Sequence, residues 1–546
     1  MVLLLVGGFA FLVATILWLD NAQGGVTGNG VFKAMDLKPW IDDPANAPLY
    51  PSNYFFFPVY GAGGRLLDLL GVFRGDPRHQ LTILNAASAS ICLVLVYALV
   101  RKFTGDRLVA LATAFFHIAC NGVLFLAIIN EDIMSSYTVM FAAMAMAGLW
   151  FARPSALRVA VVSLLFSIGW LFEWRLMFPT LPAMAVALWF SENRLLKRLA
   201  WIALFLAVTV ATAYVAAFIT RGHNEAVGAW ALLWTGKAVD SAWAGFTWAK
   251  GYFLLDGMSA YLLGTRFAEM PNIPGWDTWR ITALGSELAI AVVTLRSLWR
   301  ARADKLSWSL FGIFGGTLFA GQVFNLYSQP HDPQMQINVM AWTTVGWAFV
   351  LLAARQRWGA RGFAAMIGLS VLLLAHNLWS LEKVRGQDSA WAGAIERLGK
   401  KVDITRTVFL AHDFDWANTY AASAWGTVWP EIDGGRLGFA PQVEPKFKRI
   451  GFVGGILQHH RRNDAEQAVA LRRQIDLAFA LGYEVVALRL WDVDPDFVIG
   501  LTASIATESM TRAMLDMLHR DFAATEIMDR SEEHTSELQS RFGISY

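Results

Sequence analysis

The segment LTILNAASASICLVLVYALV, residues 81–100, runs for twenty positions without a charged side chain and ends directly before Arg101 and Lys102. A helix of about 20 apolar residues crosses the hydrocarbon layer of a bilayer. Similar segments recur along the chain, since 56% of its 546 residues are hydrophobic, only 16% are charged, and the mean hydropathy is +0.42. Soluble globular domains carry roughly 25% charged residues. The sequence therefore predicts a polytopic α-helical membrane protein.

The composition also excludes several classes of protein. A net charge of +2 is too small to indicate a polyanionic partner such as nucleic acid. The two cysteines, Cys92 and Cys120, both lie inside apolar segments, so no disulfide framework or zinc-ribbon spacing exists. A secreted enzyme, a disordered chain and a nucleic-acid binder are therefore excluded.

Length and hydropathy predict about eleven membrane spans. The predicted spans are Val2–Leu19, Leu81–Val100, Leu108–Ile129, Ile133–Trp150, Val159–Phe172, Met177–Phe190, Trp201–Ile219, Ile281–Leu298, Trp308–Phe324, Met335–Ala353 and Phe363–Leu378. The first has neither a basic flank nor a small-residue cleavage site, so we expect a retained span rather than a signal peptide. A chain that begins further upstream would also lack that flank.

Basic residues predict the orientation of these spans. Five short connections carry clusters of Lys and Arg, at residues 101–107, 153–158, 194–198, 296–305 and 355–361. Such loops lie in the cytoplasm, so an even number of crossings must separate consecutive clusters. Residues 159–190 are therefore predicted to cross twice, with a turn near Glu173–Pro179. The outer segments are then residues 20–80, 130–132, 220–280 and 327–334, and everything after Leu378.

The composition changes near residue 380, which divides the chain into predicted domains. Residues 1–380 form the transmembrane domain, with long outer loops at 20–80 and 220–280. Strand-like runs alternate with helix-like segments over residues 381–529, which predicts a small extracytoplasmic α/β domain. Residues 530–546 begin with RSEEHTSELQS, which resembles a translated sequencing-library adapter, and we expect this tail to be an artefact.

Acidic residues at the outer ends of two spans are the first candidates for chemistry. Asp20 follows the first span, where a carboxylate can orient or deprotonate an acceptor hydroxyl. The alternative is a solvated aspartate that anchors the helix end. Glu131 and Asp132 lie in a tight turn between two spans, where they either cap the next helix or face a cavity.

Basic and amide side chains at the same boundary are candidates for binding phosphate. Arg175 either pairs with Glu173 or grips a lipid-linked phosphate. His331 is a further candidate for a phosphate contact, but one histidine beside one aspartate is not a metal site. Gln336 and Asn338 lie within an apolar segment, where their amides need partners.

Several of these features together resemble the GT-C superfamily of membrane glycosyltransferases. A span ends in Asp20 at the outer boundary, and the loop behind it carries Ala47-Pro48-Leu49-Tyr50. The amphipathic segment Gly61–Gly71 follows, where relatives place an interfacial helix. Asp132 then opens a later span after a tight outer turn. A long outer loop and an outside C-terminal domain complete the resemblance.

The resemblance implies an enzyme of the inverting GT-C type that uses polyprenyl- or dolichyl-phosphate-linked sugars, as protein mannosyltransferases and lipid A aminoarabinose transferases do. Asp20 would be the catalytic carboxylate, and Asp132 with Glu131 the second acidic site. The candidates for the carrier phosphate are Lys33, Arg65, Arg175 and His331. A divalent cation is a possible cofactor, but Asn21 replaces one carboxylate of the family's usual acidic pair, which argues against metal assistance.

Three functions follow as hypotheses. The first is transfer of a sugar from a polyprenyl-phosphate carrier to an extracytoplasmic lipid, glycan or protein acceptor at a bacterial plasma membrane. The second is a transporter or flippase, which predicts ionisable groups near mid-membrane, as Glu287 would be. The third is a non-catalytic envelope assembly protein, for which Asp20 would be dispensable. Acids concentrated at the outer boundary and long outer loops favour the enzyme.

Overall fold

The computed structural model describes residues 1–19, 29–45, 47, 55–129, 133–173, 177–192, 194–221, 248–264, 278–300, 305–327, 336–382, 385, 393, 396–411, 427–428, 447–451, 464–488, 508–523, 526–528 and 544–545. These residues fall into two compact units. The larger unit is helical and ends at Arg385, and the smaller is formed mainly by the residues after it.

The helical unit is built from long apolar helices and shorter ones. In chain order, those described are α1 (Val2–Leu19), α2 (Asn29–Asp42), α3 (Phe56–Leu69), α4 (Pro77–Thr104), α5 (Arg107–Ala119), α6 (Asn121–Ile128), α7 (Ile133–Trp150), α8 (Ala156–Phe172), α9 (Thr180–Ser191), α10 (Leu195–Arg221), α11 (Trp248–Leu262), α12 (Thr278–Arg300), α13 (Lys305–Tyr327) and α14 (Ile337–Glu382).

The chain is a multi-pass membrane protein with fewer long helices than the eleven predicted spans. In the part that the structure describes, seven helices are long and apolar enough to cross a membrane, or eight if the bent pair α5 and α6 is one span. The difference has two causes. Helices α8 and α9 are apolar but short. The last two predicted spans share the 46-residue helix α14, which is interrupted by non-helical backbone at Gly359 (φ +62°).

The predicted span at 108–129 is broken in its middle. Helices α5 and α6 are bent by 63° at the break, where Cys120 has extended backbone. Asn377 of α14 satisfies the freed backbone groups, because its Nδ2 donates to the carbonyl oxygens of Ala119 (2.6 Å) and Leu262 (3.0 Å). Its Oδ1 accepts from the amide of Gly264 at 2.8 Å. Unsatisfied helix ends are strongly disfavoured in hydrocarbon, so one asparagine stabilises the ends of both α5 and α11.

The smaller unit contains a sheet of parallel strands flanked by helices. Its described elements are β1 (Thr407–Ala411), β2 (Thr427–Val428), β3 (Phe447–Gly451), α15 (Asp464–Ala480), β4 (Glu484–Leu488), α16 (Glu508–Asp521), β5 (Glu526–Met528) and β6 (Ile544–Ser545). The strand order is β2-β3-β1-β4-β6-β5, and the first four strands are parallel. Buried side chains of α15 and α16, including Leu471 and Leu515, pack in one core with Val408 of β1.

The last two strands involve the C-terminal tail. Strand β6 pairs antiparallel with β4 and β5, so Ile544 and Ser545 join the sheet. The sequence analysis had left this tail out of the predicted α/β domain. The foreign origin of residues 530–546 stays a prediction.

Helix α4 begins with a charged cap. The Asp76 carboxylate accepts from the backbone amides of Arg78 (3.1 Å) and His79 (3.3 Å), and its Oδ2 lies 2.7 Å from Nδ1 of His79. Burial opposes ionisation of Asp76, but the hydrogen bond and charge of His79 outweigh it and lower the pKa of Asp76 to about 2. The ionised carboxylate therefore stabilises the start of α4.

Replacing this cap gives a pH-dependent loss of stability. We expect Asp76→Ala to lower the free energy of unfolding by about 1 kcal/mol at neutral pH. The stabilisation by Asp76 is complete above its ordinary pKa of 3.8 and is lost as the pH falls towards about 2. The difference in the free energy of unfolding between wild type and Asp76→Ala, measured by thermal unfolding in detergent, should therefore shrink as the pH falls from 3.8 to about 2. Asp76→Asn keeps a side chain that can cap the helix and should therefore lose less stability than Asp76→Ala. A difference in stability between wild type and Asp76→Ala that does not change with pH would contradict this account.

Candidate functional site

The predicted site residues divide into two groups. Asp20, Glu131, Asp132, Arg175 and His331 lie outside the described residues. Lys33 and Arg65 lie within them. The roles of all seven stay predictions. Described residues that flank the first group in sequence show which parts of the packed helices lie next to it. These neighbours are all buried and comprise Leu19, Ile129, Ile133, Glu173 and Gln336.

Helices α2 and α3 pack onto the ends of two apolar helices through a cluster of apolar side chains, here called the first-loop cluster. It comprises Leu37, Ile41, Phe56, Phe57, Tyr60, Leu81 and Phe172. These residues come from α2, α3, the start of α4 and the end of α8. The backbone amide of Phe55 also donates to the carbonyl of Leu171 at 3.1 Å. Helices α2 and α3 therefore lie against the ends of α4 and α8.

Two glycines allow α3 to approach α2 closely. A Cβ atom on Gly61 would lie 2.7 Å from Cβ of Trp40, and one on Gly64 would lie 2.7 Å from Cδ1 of Ile41. Larger residues at either position would therefore separate the two helices. The segment predicted to be an interfacial helix is thus helical, and part of it is buried against its neighbour.

A chain of hydrogen bonds connects this cluster to Ile129, the residue before Asn130-Glu131-Asp132. The Tyr60 hydroxyl donates to Oδ1 of Asn85 at 2.7 Å. Asn85 then donates from Nδ2 to the carbonyl oxygen of Ile129, also at 2.7 Å. Tyr60 is 3% exposed and Asn85 fully buried. These bonds fix the end of α6 at the residue directly before Asn130-Glu131-Asp132.

The sequence interpretation did not assign a role to Tyr60 or Asn85. One signal was present, because an amide at position 85 interrupts an otherwise apolar run and needs a partner in a membrane. The identity of that partner depends on the bend after α5, which brings α6 and its carbonyl end beside α4.

Helix α1 packs against both α4 and α6. Its buried face includes Leu12, Ile16 and Leu19. Gly8 allows close contact with α4, because a Cβ atom there would lie 2.7 Å from Cδ1 of Leu93. The helix that precedes Asp20 and the helix that precedes Glu131 and Asp132 are therefore direct neighbours.

The two described candidates for binding the carrier phosphate, Lys33 and Arg65, have different environments. The Nζ atom of Lys33 lies 5.6 Å from the ring centroids of both Phe56 and Phe57, so its ammonium group faces the first-loop cluster. The ring of Phe56 lies 4.5 Å from that of Tyr60, centroid to centroid. Arg65 is exposed on α3. The structure thus places Lys33, but not Arg65, against the aromatic rings of the first-loop cluster.

A metal centre of the ordinary kind is not formed within the described ranges. Those ranges contain no group of three or more His, Cys, Asp or Glu side chains arranged to hold a metal ion. The acids that the sequence proposes for the site lie outside them.

Comparisons with known proteins bear on the fold. No protein-family model and no curated protein matches the chain. Among solved structures, ArnT from Cupriavidus metallidurans is similar at 13% identity over 96% of both chains, with a TM-score of 0.47 bound to undecaprenyl phosphate and 0.49 in the apo state. The Archaeoglobus fulgidus oligosaccharyltransferase in complex with Zn and sulfate has a TM-score of 0.51 at 11% identity, over 93% of this chain and 70% of that one.

At this identity the likeness concerns the fold alone. The archaeal enzyme is a GT-C membrane glycosyltransferase, and its similarity covers nearly all of this chain. The resemblance to the GT-C superfamily predicted from the sequence is therefore confirmed at the level of the fold.

Proposed function

We propose that this protein transfers a sugar from a polyprenyl-phosphate carrier to an extracytoplasmic lipid, glycan or protein acceptor at the outer face of a bacterial plasma membrane. The observation that carries the proposal is the chain Tyr60–Asn85–Ile129, which ties the first outer loop to the turn bearing Glu131 and Asp132. The packing of α1 against α6 supports a position of Asp20 close to Glu131 and Asp132, since Asp20 follows α1 and the two other acids follow α6. Acids from two helix ends would then share one pocket.

The reaction requires a base near the acceptor and cations near the leaving group. Asp20 orients the acceptor O–H or N–H and accepts its proton. The acceptor atom attacks the anomeric carbon, the bond from that carbon to the phosphate oxygen breaks, and polyprenyl phosphate leaves with the electron pair. Attack opposite the leaving group inverts the anomeric configuration. Asp132 and Glu131 form the second acidic site.

Cations stabilise the phosphate that is released. Of the two described candidates, Lys33 is favoured, because its ammonium group lies at the first-loop cluster, whereas Arg65 is exposed. Arg65, Arg175 and His331 complete the proposed set. Charge-assisted hydrogen bonds from such groups to phosphate oxygens are shorter and stronger than neutral ones.

Contacts between helix ends support the proposed orientation, in which eleven segments cross the membrane and the C-terminal domain lies outside. Asp106 forms an ion pair with Arg355, and the rings of Phe103 and Phe349 stack at 5.5 Å. Two of the basic, cytoplasmic loops are therefore neighbours. At the opposite ends, the guanidinium of Arg385 lies 5.8 Å from the ring centroid of Trp18.

The role of Asp20 predicts a large loss of activity on its removal. We expect Asp20→Asn to lower the rate of transfer from a radiolabelled lipid-linked sugar in proteoliposomes by about 100-fold or more, because a positioned base contributes about that much. The matched control is Asp42→Asn, which changes an exposed carboxylate of the same loop that pairs with Lys38. Full activity of Asp20→Asn would remove Asp20 from the mechanism.

The position of Lys33 predicts an effect on donor binding. Lys33→Gln should raise the KM for the lipid-linked donor about tenfold, since hydrogen bonds to charged groups contribute about 1.5–3 kcal/mol. Lys38→Gln is the control, because Lys38 lies on the same helix but is exposed and paired with Asp42. Equal KM values in the two variants would show that Lys33 serves only to pack on its aromatic neighbours.

A further inference from the structure

An open groove lies between α1 and the last turns of α14, and the proposed transfer reaction does not use it. Its volume is about 470 Å³, and small-molecule sites have volumes of about 300–1,000 Å³. Along α1 the groove extends from residue 11 to residue 18, which is about 10 Å of helix. The residues that line it are Phe11, Ala14, Thr15, Trp18, Leu378, Trp379 and Glu382.

Both walls of the groove are held by contacts on the other sides of their helices. Helix α1 buries Leu12, Ile16 and Leu19 and packs against α4 and α6. In α14, the side chain of Asn377 bonds to the ends of α5 and α11 directly before Leu378. Because each wall is fixed from outside the groove, the groove is formed before any ligand enters it, as ligand sites usually are.

The α1 wall of the groove offers no free hydroxyl group. Thr15 is the one hydroxyl residue among the lining side chains, and its Oγ1 donates to the carbonyl oxygen of Phe11 at 2.9 Å. Phe11, Ala14 and Leu378 present only hydrocarbon. A hydrocarbon chain therefore fits between the walls, whereas a sugar or a peptide would leave polar groups without partners there.

Charged and aromatic side chains lie together at one end of the groove, here called the mouth. Oε1 of Glu382 accepts from Nη1 of Arg385 at 3.2 Å, and the guanidinium lies 5.8 Å from the ring centroid of Trp18. The two charged side chains are 45% and 51% exposed, so both can meet a further partner. Trp18 and Trp379 are exposed as well, and tryptophan is enriched where helices meet the lipid headgroups.

We propose that this groove binds one phospholipid that has a phosphoethanolamine headgroup. An acyl chain lies between α1 and α14, the phosphate accepts hydrogen bonds from Arg385, and the primary ammonium group donates to Glu382. Charge-assisted hydrogen bonds of this kind are the strong ones. The site does not depend on the transfer reaction or on the acids proposed for it.

The pair of opposite charges at the mouth selects this headgroup. A headgroup that carries only negative charge would satisfy Arg385 but would bring a second anion beside Glu382. A choline headgroup has a positive charge but no N–H group to donate. A polyprenyl phosphate has an apolar chain but no ammonium group, so it matches only half of the mouth.

Lipid binding to the delipidated full-length protein in detergent tests this proposal. Native mass spectrometry compares palmitoyl-oleoyl phosphatidylethanolamine, phosphatidylglycerol and phosphatidylcholine with a polyprenyl phosphate. The ethanolamine lipid should bind at one molecule per chain and about tenfold more tightly than the other three, since hydrogen bonds to charged groups differ by about that much. It should also raise the unfolding temperature by several degrees in a saturable manner.

Variants of the walls and of the mouth assign the site. Ala14→Trp fills the groove and should abolish binding of the ethanolamine lipid. Ala365→Trp is the matched control, because Ala365 is an exposed alanine about 20 Å from Leu378 along α14. Arg385→Gln should weaken binding of the ethanolamine lipid about tenfold. Glu382→Gln should remove the preference for ethanolamine over glycerol headgroups.

Several results would overturn the proposal. Equal affinity for all three phospholipids would mean that the groove holds only the general lipid shell. Tighter binding of the polyprenyl phosphate would assign the groove to the donor of the transfer reaction, and unchanged binding in Ala14→Trp would place the lipid elsewhere. If Ala14→Trp does not fold, the two exposed mouth variants decide, because an unchanged headgroup preference in both would also overturn the proposal.

Discussion

Backbone carbonyls at the ends of helices must find donors when the surrounding medium is hydrocarbon, and two asparagines meet this requirement around α6. Asn377 donates to Ala119 at the end of α5, just before the break, and Asn85 donates to Ile129 directly after α6. An eight-residue helix is not stable by itself, and α6 is held by these bonds together with the burial of all eight of its residues. The position of α6 in turn determines where Ile129, the residue before Asn130-Glu131-Asp132, lies and where α11 ends against Asn121.

Much of the fold follows from local sequence. The apolar run at 81–100 predicts α4, and the alternation of strand-like and helix-like segments over residues 381–529 predicts a unit with both strands and helices. The break at Cys120 was missed, although Asn121-Gly122 interrupts the apolar run there, because the amide that caps the end of α5 belongs to Asn377, 258 residues from Ala119. The last two predicted spans lie on either side of Gly359, where the backbone of α14 is not helical.

The candidate site was predictable only in part. The family resemblance implies Lys33 and Arg65 alike, but the structure places Lys33 at the first-loop cluster, whereas Arg65 is exposed. The sequence offers no means of distinguishing them, since the difference depends on which face of each short helix packs inward. Tyr60 and Asn85 were missed because their importance comes from each other and from Ile129, which is 44 residues from Asn85.

The central claim is that Asp20 and Asp132 face one pocket beyond the ends of neighbouring helices. Cross-linking tests it directly, because the two native cysteines are buried and can be replaced. On that background, cysteines at positions 20 and 132 should be joined efficiently by a short bis-maleimide in native membranes. A pair at positions 20 and 106, predicted to lie on opposite sides of the membrane, should not. If the first pair links no better than the second, the two acids do not share a pocket and the glycosyltransferase account fails.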